Sequence, residues 1–433
     1  VKKPGFLPLL FSRNFPKSET GFLSSRLFCL TGLVLSVEVV ITGIGLISAL
    51  GSLEMTWKRV LSGDSGIRIY QPFPELKPLP LALINNNIPI DLTNLIQSLV
   101  TDALQDANLT PPLLDFGVVI GSSRGYQAQL EQLARKTLVT DNLWGFSPIS
   151  THLLPVTYSQ FIDYLPNRVA IATSQLIQST GPILSPMAAC ATGIWTIAQG
   201  FELIKMGYCD QVIAGAVEAA ITPLTIAGFQ QMGALAKTGS YPFDRQREGF
   251  VLGEGGAVFI LENHEIAQKR NAKIYGKILG FGLTNDANSI TSPDVGGKTA
   301  LRAITDCLER SQIAPDEIDY IHAHGTGTIL NDQHEALLIK HLFPSNIAVS
   351  STKGATGHTL GASGALGVAF GLMSLTQQIL PPCVGLSQSD FELNLVRKPR
   401  KTQIKNVLCL SFGFGGQNAA IALSKSPSTV SLF

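Results

Sequence analysis

Apolar runs short enough for strands alternate with longer runs at helical spacing, and this alternation passes along the 433-residue chain twice. In the first pass VEVVITGIG (37–45) reads as a buried strand closed by a glycine turn. DLTNLIQSLVTDALQDAN (91–108) has the period of an amphipathic helix, and FGVVIGSS (116–123) is a second buried strand. NRVAIATSQLIQS (167–179) is helical, a stretch around a lone cysteine leads into another helix, and DQVIAGAVEA (210–219) and GGAVFILEN (255–263) are strands. The second pass places strands at 272–283 and 347–352, a strand running into a glycine-threonine turn at 318–328, helices at 297–311, 333–343 and 361–378, and two last strands across a glycine-rich turn at 406–423. Both passes keep one order and close with paired strands, yet no residue-level period links them. The expectation is an α/β fold of two equivalent halves, 37–263 and 264–425.

Composition narrows the function classes. Hydrophobic residues make up 45% and charged residues 15%, a balance that buries a large core and argues against disorder. Thirty-two basic against thirty-one acidic residues argue against nucleic acid as the main partner. The six cysteines stand singly, with no C-x-x-C pair and no H-E-x-x-H among the histidines, so neither a disulfide framework nor a metal site is expected. Residues 1–36 are basic, serine-containing and poor in acids, which reads as a transit-type peptide or as a disordered or artefactual extension ahead of the folded part. LFCLTGLVLSV (27–37) is too short to span a bilayer, so no stable membrane insertion is expected. Residues 426–433 read as a tail.

Four stretches carry candidate chemistry. In SPMAACATGIWTIAQG (185–200), Cys190 stands among alanines and glycine at the mouth of a helix. Helix N–H groups and the dipole would there stabilise a thiolate, and small neighbours would admit a substrate. Taken alone, the stretch also fits a buried packing cysteine. In HAHGTGT, His322 and His324 stand at a strand end, one expected to point into a site and the other away from it. The hydroxyls of Thr326 and Thr328 follow. SSTKGATGHTLGASGALG (350–367) sets Lys353 and His358 before a helix, whose positive end favours a neutral imidazole able to donate to an oxyanion. SFGFGGQN (411–418) presents Phe412 and Phe414 in a glycine turn that can offer backbone N–H groups.

In this order and with these flanks, AACATG, HAHGTGT…ND…E, KGATGH and SFGFGG resemble the β-ketoacyl-[acyl-carrier-protein] synthases, the decarboxylating condensing enzymes of fatty-acid and polyketide synthesis. The resemblance spans nearly all of 37–424 and implies a thiolase-like fold, two pseudo-symmetric halves in a five-layer αβαβα sandwich, homodimeric and cytoplasmic unless residues 1–36 direct it to an organelle. It implies an acyltransferase in which Cys190 accepts the acyl group and His324 and His358 form the catalytic pair, while His322 has no matching role. Lys353 matches the lysine of the site and Glu335 the glutamate that orders it. Phe414 matches the gate, its N–H sharing the oxyanion hole with that of Cys190, with Phe412 beside it. Thr326 and Thr328 match the threonines that hold the pantetheine arm. The implied partner is an acyl carrier protein, acyl- or malonyl-loaded; phosphopantetheine arrives on that substrate, and no cofactor or metal of the enzyme's own is implied. A non-catalytic chain-length-factor type of subunit is the alternative, against which the cysteine and both histidines stand. The chain departs from the pattern at 67–90, proline-rich and short of the basic residues that help dock the carrier in many relatives, and at 124–166.

Overall fold

Val39–Ser48, strand β1, is where the two passes meet. Its sequence VVITGIGLIS is apolar and partly β-branched, and it is buried along nearly its whole length, as a strand with neighbours on both edges requires. The structure, a computed structural model, describes residues 37–140, 162–294 and 296–425, with side chains left aside at 136–140. The expected N-terminal extension (1–36) and tail (426–433) lie outside the described residues, as does part of the divergent stretch 124–166.

The first half contributes β1, β2 (Gly117–Gly121), β3 (Ile183–Leu184), β4 (Gln211–Glu218) and β5 (Gly255–Asn263). The second contributes β6 (Gly276–Asn285), β7 (Tyr320–His322), β8 (Ala348–Ser350), β9 (Asn394–Leu395), β10 (Asn406–Gly413) and β11 (Gln417–Ser424). Their spatial order is β9-β8-β7-β10-β11-β6-β1-β5-β4-β2-β3. Outward from the centre, β1-β5-β4-β2-β3 on one side matches β6-β11-β10-β7-β8 on the other, each with two antiparallel contacts followed by parallel ones. The seam is short: Val39 faces Ile278 and Ile41 faces Gly276.

Helices α1 (Leu92–Asp106) and α2 (Arg168–Ile177) cover the outer face of the first half-sheet, and α4 (Lys298–Ser311) that of the second. Between the half-sheets lie α3 (Thr192–Lys205) and α6 (Ser363–Gln377), packed on each other, which completes five αβαβα layers. Asp91 caps α1 by accepting the N–H groups of Thr93 and Asn94. The α6 sequence is apolar all round, and every residue from Ser363 to Leu375 is buried. The segment Leu360–Gln377 is apolar and long enough to cross a membrane, but it is spent as this core helix. The crossing of α3 and α6 is tight, since a Cβ on Gly193 would fall 2.3 Å from the Ala365 nitrogen.

Two elements begin four residues from where the sequence places them. Helix α5 runs Ile329–Leu342, four residues ahead of the expected 333. Its first-turn apolar residues, Ile329 and Leu330, face water, so the apolar period does not reveal that turn. Strand β6 starts at Gly276 rather than 272, because Asn271 and Ala272 close the preceding short helix.

Candidate active site

Cys190 sits one residue before the N-cap of α3, on a sharp elbow. Ala189, with φ of +46°, holds the left-handed conformation that places the cysteine there. Thr192 staples the elbow: its Oγ1 accepts the Ala188 N–H at 2.9 Å and donates to the Ala189 carbonyl at 2.7 Å. From the other half, Ser411 on β10 donates to the Cys190 carbonyl at 2.8 Å. The backbone N–H of Phe414 points at the thiol. Burial pushes that thiol up to about 11, against the opposing pull of the Lys353 charge and the Phe414 N–H. The expected thiolate at a helix mouth is therefore absent at rest, because desolvation outweighs the helix end.

His324 is fixed through its backbone. Strand β7 ends at His322, and the following turn is held by carboxylates of α5. Glu335 accepts the N–H groups of His324 at 2.6 Å and Gly325 at 2.7 Å. Asp332 accepts those of Thr326 at 3.0 Å, Gly327 at 3.2 Å and Phe243 at 2.7 Å. Lys353, buried behind the turn, donates to the His324 carbonyl. Among the described residues Glu335 makes no direct ion pair with Lys353, so any ordering of one by the other runs through this backbone. Burial pushes the Glu335 carboxyl up and the Lys353 ammonium down, while their opposite charges support each other.

The His324 and His358 rings lie edge-to-face, centroids 5.4 Å apart. His358 Nδ1 is 2.7 Å from the Ser363 hydroxyl, its ring stands edge-on to Phe250, and its backbone N–H donates to the Val251 carbonyl. Burial first, and then the Lys353 charge, holds both imidazoles well below their usual range, so both are neutral. For His358 this is the expected state, with desolvation as its main cause. His322 departs in another direction: Nε2 meets Thr352 Oγ1 at 3.2 Å, and the ring stacks on Phe370. Its Nδ1 would lie 2.9 Å from a Cβ on Gly367. The two histidines diverge because the strand ends between them; strict alternation would have set residues two apart on one face.

A cavity of about 370 Å³ ends at this cluster. Its wall includes Cys190, His324, His358, Thr326, Thr328, Phe412 and Phe414. Lys353 and Glu335 lie behind that wall. The Thr326 and Thr328 hydroxyls meet at 2.8 Å. Phe414 stacks on Phe229 at 6.1 Å, Phe229 is edge-on to Phe250, and Phe412 is edge-on to His324.

Several contributors were not singled out in the sequence. Ser411 opens the SFGFGG stretch but has no role assigned there, and Phe229 carries no motif signal. Glu218 ends the apolar strand β4, and a carboxylate in such a place is a signal. It accepts from Ser122 at 2.9 Å, from the Ser123 N–H at 2.9 Å and from Gly361 at 3.0 Å, tying the turn after His358 to the first half.

Family models match both halves: "Beta-ketoacyl synthase, N-terminal domain" over residues 91–267 and "Beta-ketoacyl synthase, C-terminal domain" over 275–387. The 3-oxoacyl-[acyl-carrier-protein] synthase 2 of Synechocystis is 34% identical over 418 residues, covering 90% of this chain and 98% of that protein. The chain belongs to the β-ketoacyl synthase family. A mitochondrial 3-oxoacyl-[acyl-carrier-protein] synthase of Arabidopsis thaliana is 31% identical to this synthase over 437 residues, covering 89% of this chain and 92% of that protein. Among solved structures, a type II polyketide ketosynthase in complex with its acyl-carrier protein superposes with a TM-score of 0.84 at 26% identity, covering 90% of this chain and all of that one. A β-ketoacyl synthase from Burkholderia phymatum superposes at 0.80, also at 26% identity and 90% coverage of this chain. The synthase has the thiolase-like fold of its relatives, and its reaction is that of a 3-oxoacyl-[acyl-carrier-protein] synthase, an acyltransferase.

Proposed function

We propose that Cys190, His324 and His358 divide this condensation between them. In the first half-reaction the Cys190 sulfur attacks the thioester of an acyl-carrier protein. The tetrahedral oxyanion is held by the N–H groups of Cys190 and Phe414, the carrier's sulfur leaves, and the proton of the thiol passes to it. In the second, malonyl-carrier protein enters and its carbon–carboxylate bond breaks. Carbon dioxide leaves, and the electron pair moves into an enolate whose oxygen accepts hydrogen bonds from the neutral imidazoles of His324 and His358. The carbanion attacks the acyl carbon on Cys190, the carbon–sulfur bond breaks, and the Cys190 sulfur takes back a proton. The product is a β-ketoacyl chain two carbons longer on the carrier. Burial keeps water from the acyl-enzyme.

The observation that carries this reading is the pair of neutral imidazoles 5.4 Å apart beside a buried thiol at the end of one cavity. Lys353, Glu335 and Asp332 act as positioning groups beneath His324, Phe412 and Phe414 border the entry, and Thr326 and Thr328 take the pantetheine arm. The partner is an acyl carrier protein. A homodimer is supported by the edge strand β3, whose Ile183 and Leu184 are 42% and 38% exposed. The location is cytoplasmic, or organellar if residues 1–36 act as a transit peptide; the Arabidopsis relative is described as mitochondrial.

Intact-mass measurement after incubation with acyl-carrier proteins tests the assignment. The wild type should gain one acyl group and Cys190→Ala none. Continued acylation of the variant would remove Cys190 from the role, and a wild type that no donor acylates would favour the chain-length-factor type of subunit.

A further inference from the structure

The His358 ring is neutral, so it carries one proton that either of its two nitrogens can hold. Which nitrogen holds it decides whether the ring can donate into the cavity. Nδ1 lies 2.7 Å from the Ser363 hydroxyl, and that hydroxyl lies 3.2 Å from the hydroxyl of Thr359. Nε2 makes no hydrogen bond among the described residues, and the ring belongs to the cavity wall. Ser363 and Thr359 do not belong to that wall, and both are buried.

A tight turn brings Ser363, the first residue of α6, back beside the ring. Leu360 holds a φ of +42°, and the Ala362 N–H donates to the Thr359 carbonyl at 2.9 Å. The Gly361 N–H donates to the buried Glu218 carboxylate at 3.0 Å. A Cβ at Gly361 would fall 2.8 Å from the Ser123 nitrogen, so glycine lets the turn lie against the first half.

Two contacts join Nδ1 and the two hydroxyls, and two arrangements of protons can serve them. In the first, Thr359 donates to Ser363, Ser363 donates to Nδ1, and the imidazole proton sits on Nε2. In the second, Nδ1 donates to Ser363 and Ser363 to Thr359, and the Thr359 proton is left over. Among the described residues the Thr359 hydroxyl meets no other acceptor, and the residue is only 1% exposed. Leaving a buried hydroxyl proton without an acceptor is disfavoured by about tenfold or more, so the first arrangement prevails.

We propose that Ser363 is a positioning residue that holds the proton of His358 on Nε2 by donating its own hydroxyl proton to Nδ1. The proposal rests on the condensation above, in which His358 donates to the enolate oxygen. Ser363 touches none of the reacting atoms and acts through the imidazole.

Nitrogen magnetic resonance on protein carrying isotope-labelled histidine tests this without substrate. The His358 signals are those that vanish in His358→Ala. In wild type Nδ1 should show the shift of a bare acceptor nitrogen and Nε2 that of a protonated one. In Ser363→Ala both tautomers become populated, and the two shifts should move towards each other. Ser363→Thr, which keeps the hydroxyl, should restore the wild-type pair. With malonyl-carrier protein, Ser363→Ala should lower kcat for carbon dioxide release about fivefold, with KM and Cys190 acylation within about twofold of wild type. A protonated Nδ1 in wild type, or unchanged shifts in Ser363→Ala, would overturn the proposal. So would a Ser363→Ala protein that loses acylation and carbon dioxide release together, the mark of a merely structural residue. A wild type that releases no carbon dioxide would overturn the condensation reading, while the shifts would still decide the role of Ser363.

Discussion

Glu335 and Lys353 grip the two sides of one peptide unit: the carboxylate accepts the N–H of Gly325 at 2.7 Å, and the ammonium donates to the carbonyl of His324. The acid and base of the site thus meet through the backbone that carries His324, the proposed catalytic histidine, and hold the turn after β7 from both sides.

That arrangement sets what removal should do. In Glu335→Ala two buried N–H groups, those of His324 and Gly325, lose their acceptor, at a cost of about 1–3 kcal/mol each. Urea unfolding should show a loss of about 3 kcal/mol. A variant as stable as wild type would mean that the turn finds other acceptors.

His358→Ala should leave Cys190 acylation nearly intact and slow malonyl decarboxylation about 10²–10³-fold, because it removes one donor to the enolate oxygen. Carbon dioxide release from malonyl-carrier protein measures this. Unimpaired release would take His358 out of the proposed step.

The buried thiol has a signature of its own. With Cys190 at about 11, its alkylation by iodoacetamide should keep rising with pH beyond pH 9. A plateau at or below neutrality, followed by mass spectrometry of the Cys190 peptide, would contradict a resting thiol.

Acid should weaken the fold in a predictable direction. His322 is held down at about 3 by burial and the Lys353 charge, and His324 and His358 well below 6.5. Because the folded values are depressed, the native state excludes protons that the unfolded chain takes up. The contribution is complete above about 6.5 and is lost as pH falls below it, by about 1.4 kcal/mol per pH unit for each imidazole. His322→Phe should shrink the slope of unfolding free energy between pH 6 and 4.5 by about one proton. An unchanged slope would mean that His322 is not held neutral.

Packing of the central layer yields the last expectation. Gly193→Ala would press a methyl group against the Ala365 nitrogen at 2.3 Å, and a shift of α3 against α6 should cost about 1–3 kcal/mol. The urea midpoint would report it, and acylation should fall as well, because Cys190 rides on the start of α3. Unchanged values for both would show that the crossing has slack.

Periodicity made most of the strands and helices legible, because half-buried helices and buried strands leave different spacings. The cysteine and the two histidines stood out as candidates because each sits near the end of a regular element among small residues, but none was decisive alone and their roles came only with the family resemblance. Long-range terms were not. That Val39–Ile41 would pair with β6 and fuse the half-sheets depends on a three-residue seam with no local mark. The high thiol value of Cys190 arises from residues brought over it by folding, and the first turn of α5 was hidden because Ile329 and Leu330 face outward.

The origin of the proposed oxyanion donor, the Phe414 N–H, has a consequence for the newborn chain. Cys190 is made midway through synthesis, whereas Ser411 and Phe414 arrive with the last hairpin. A ribosome that has not finished holds a nucleophile with neither its brace nor its second N–H. On the proposed mechanism, a chain ending before Ser411 should therefore take acyl groups far more slowly than the full fold.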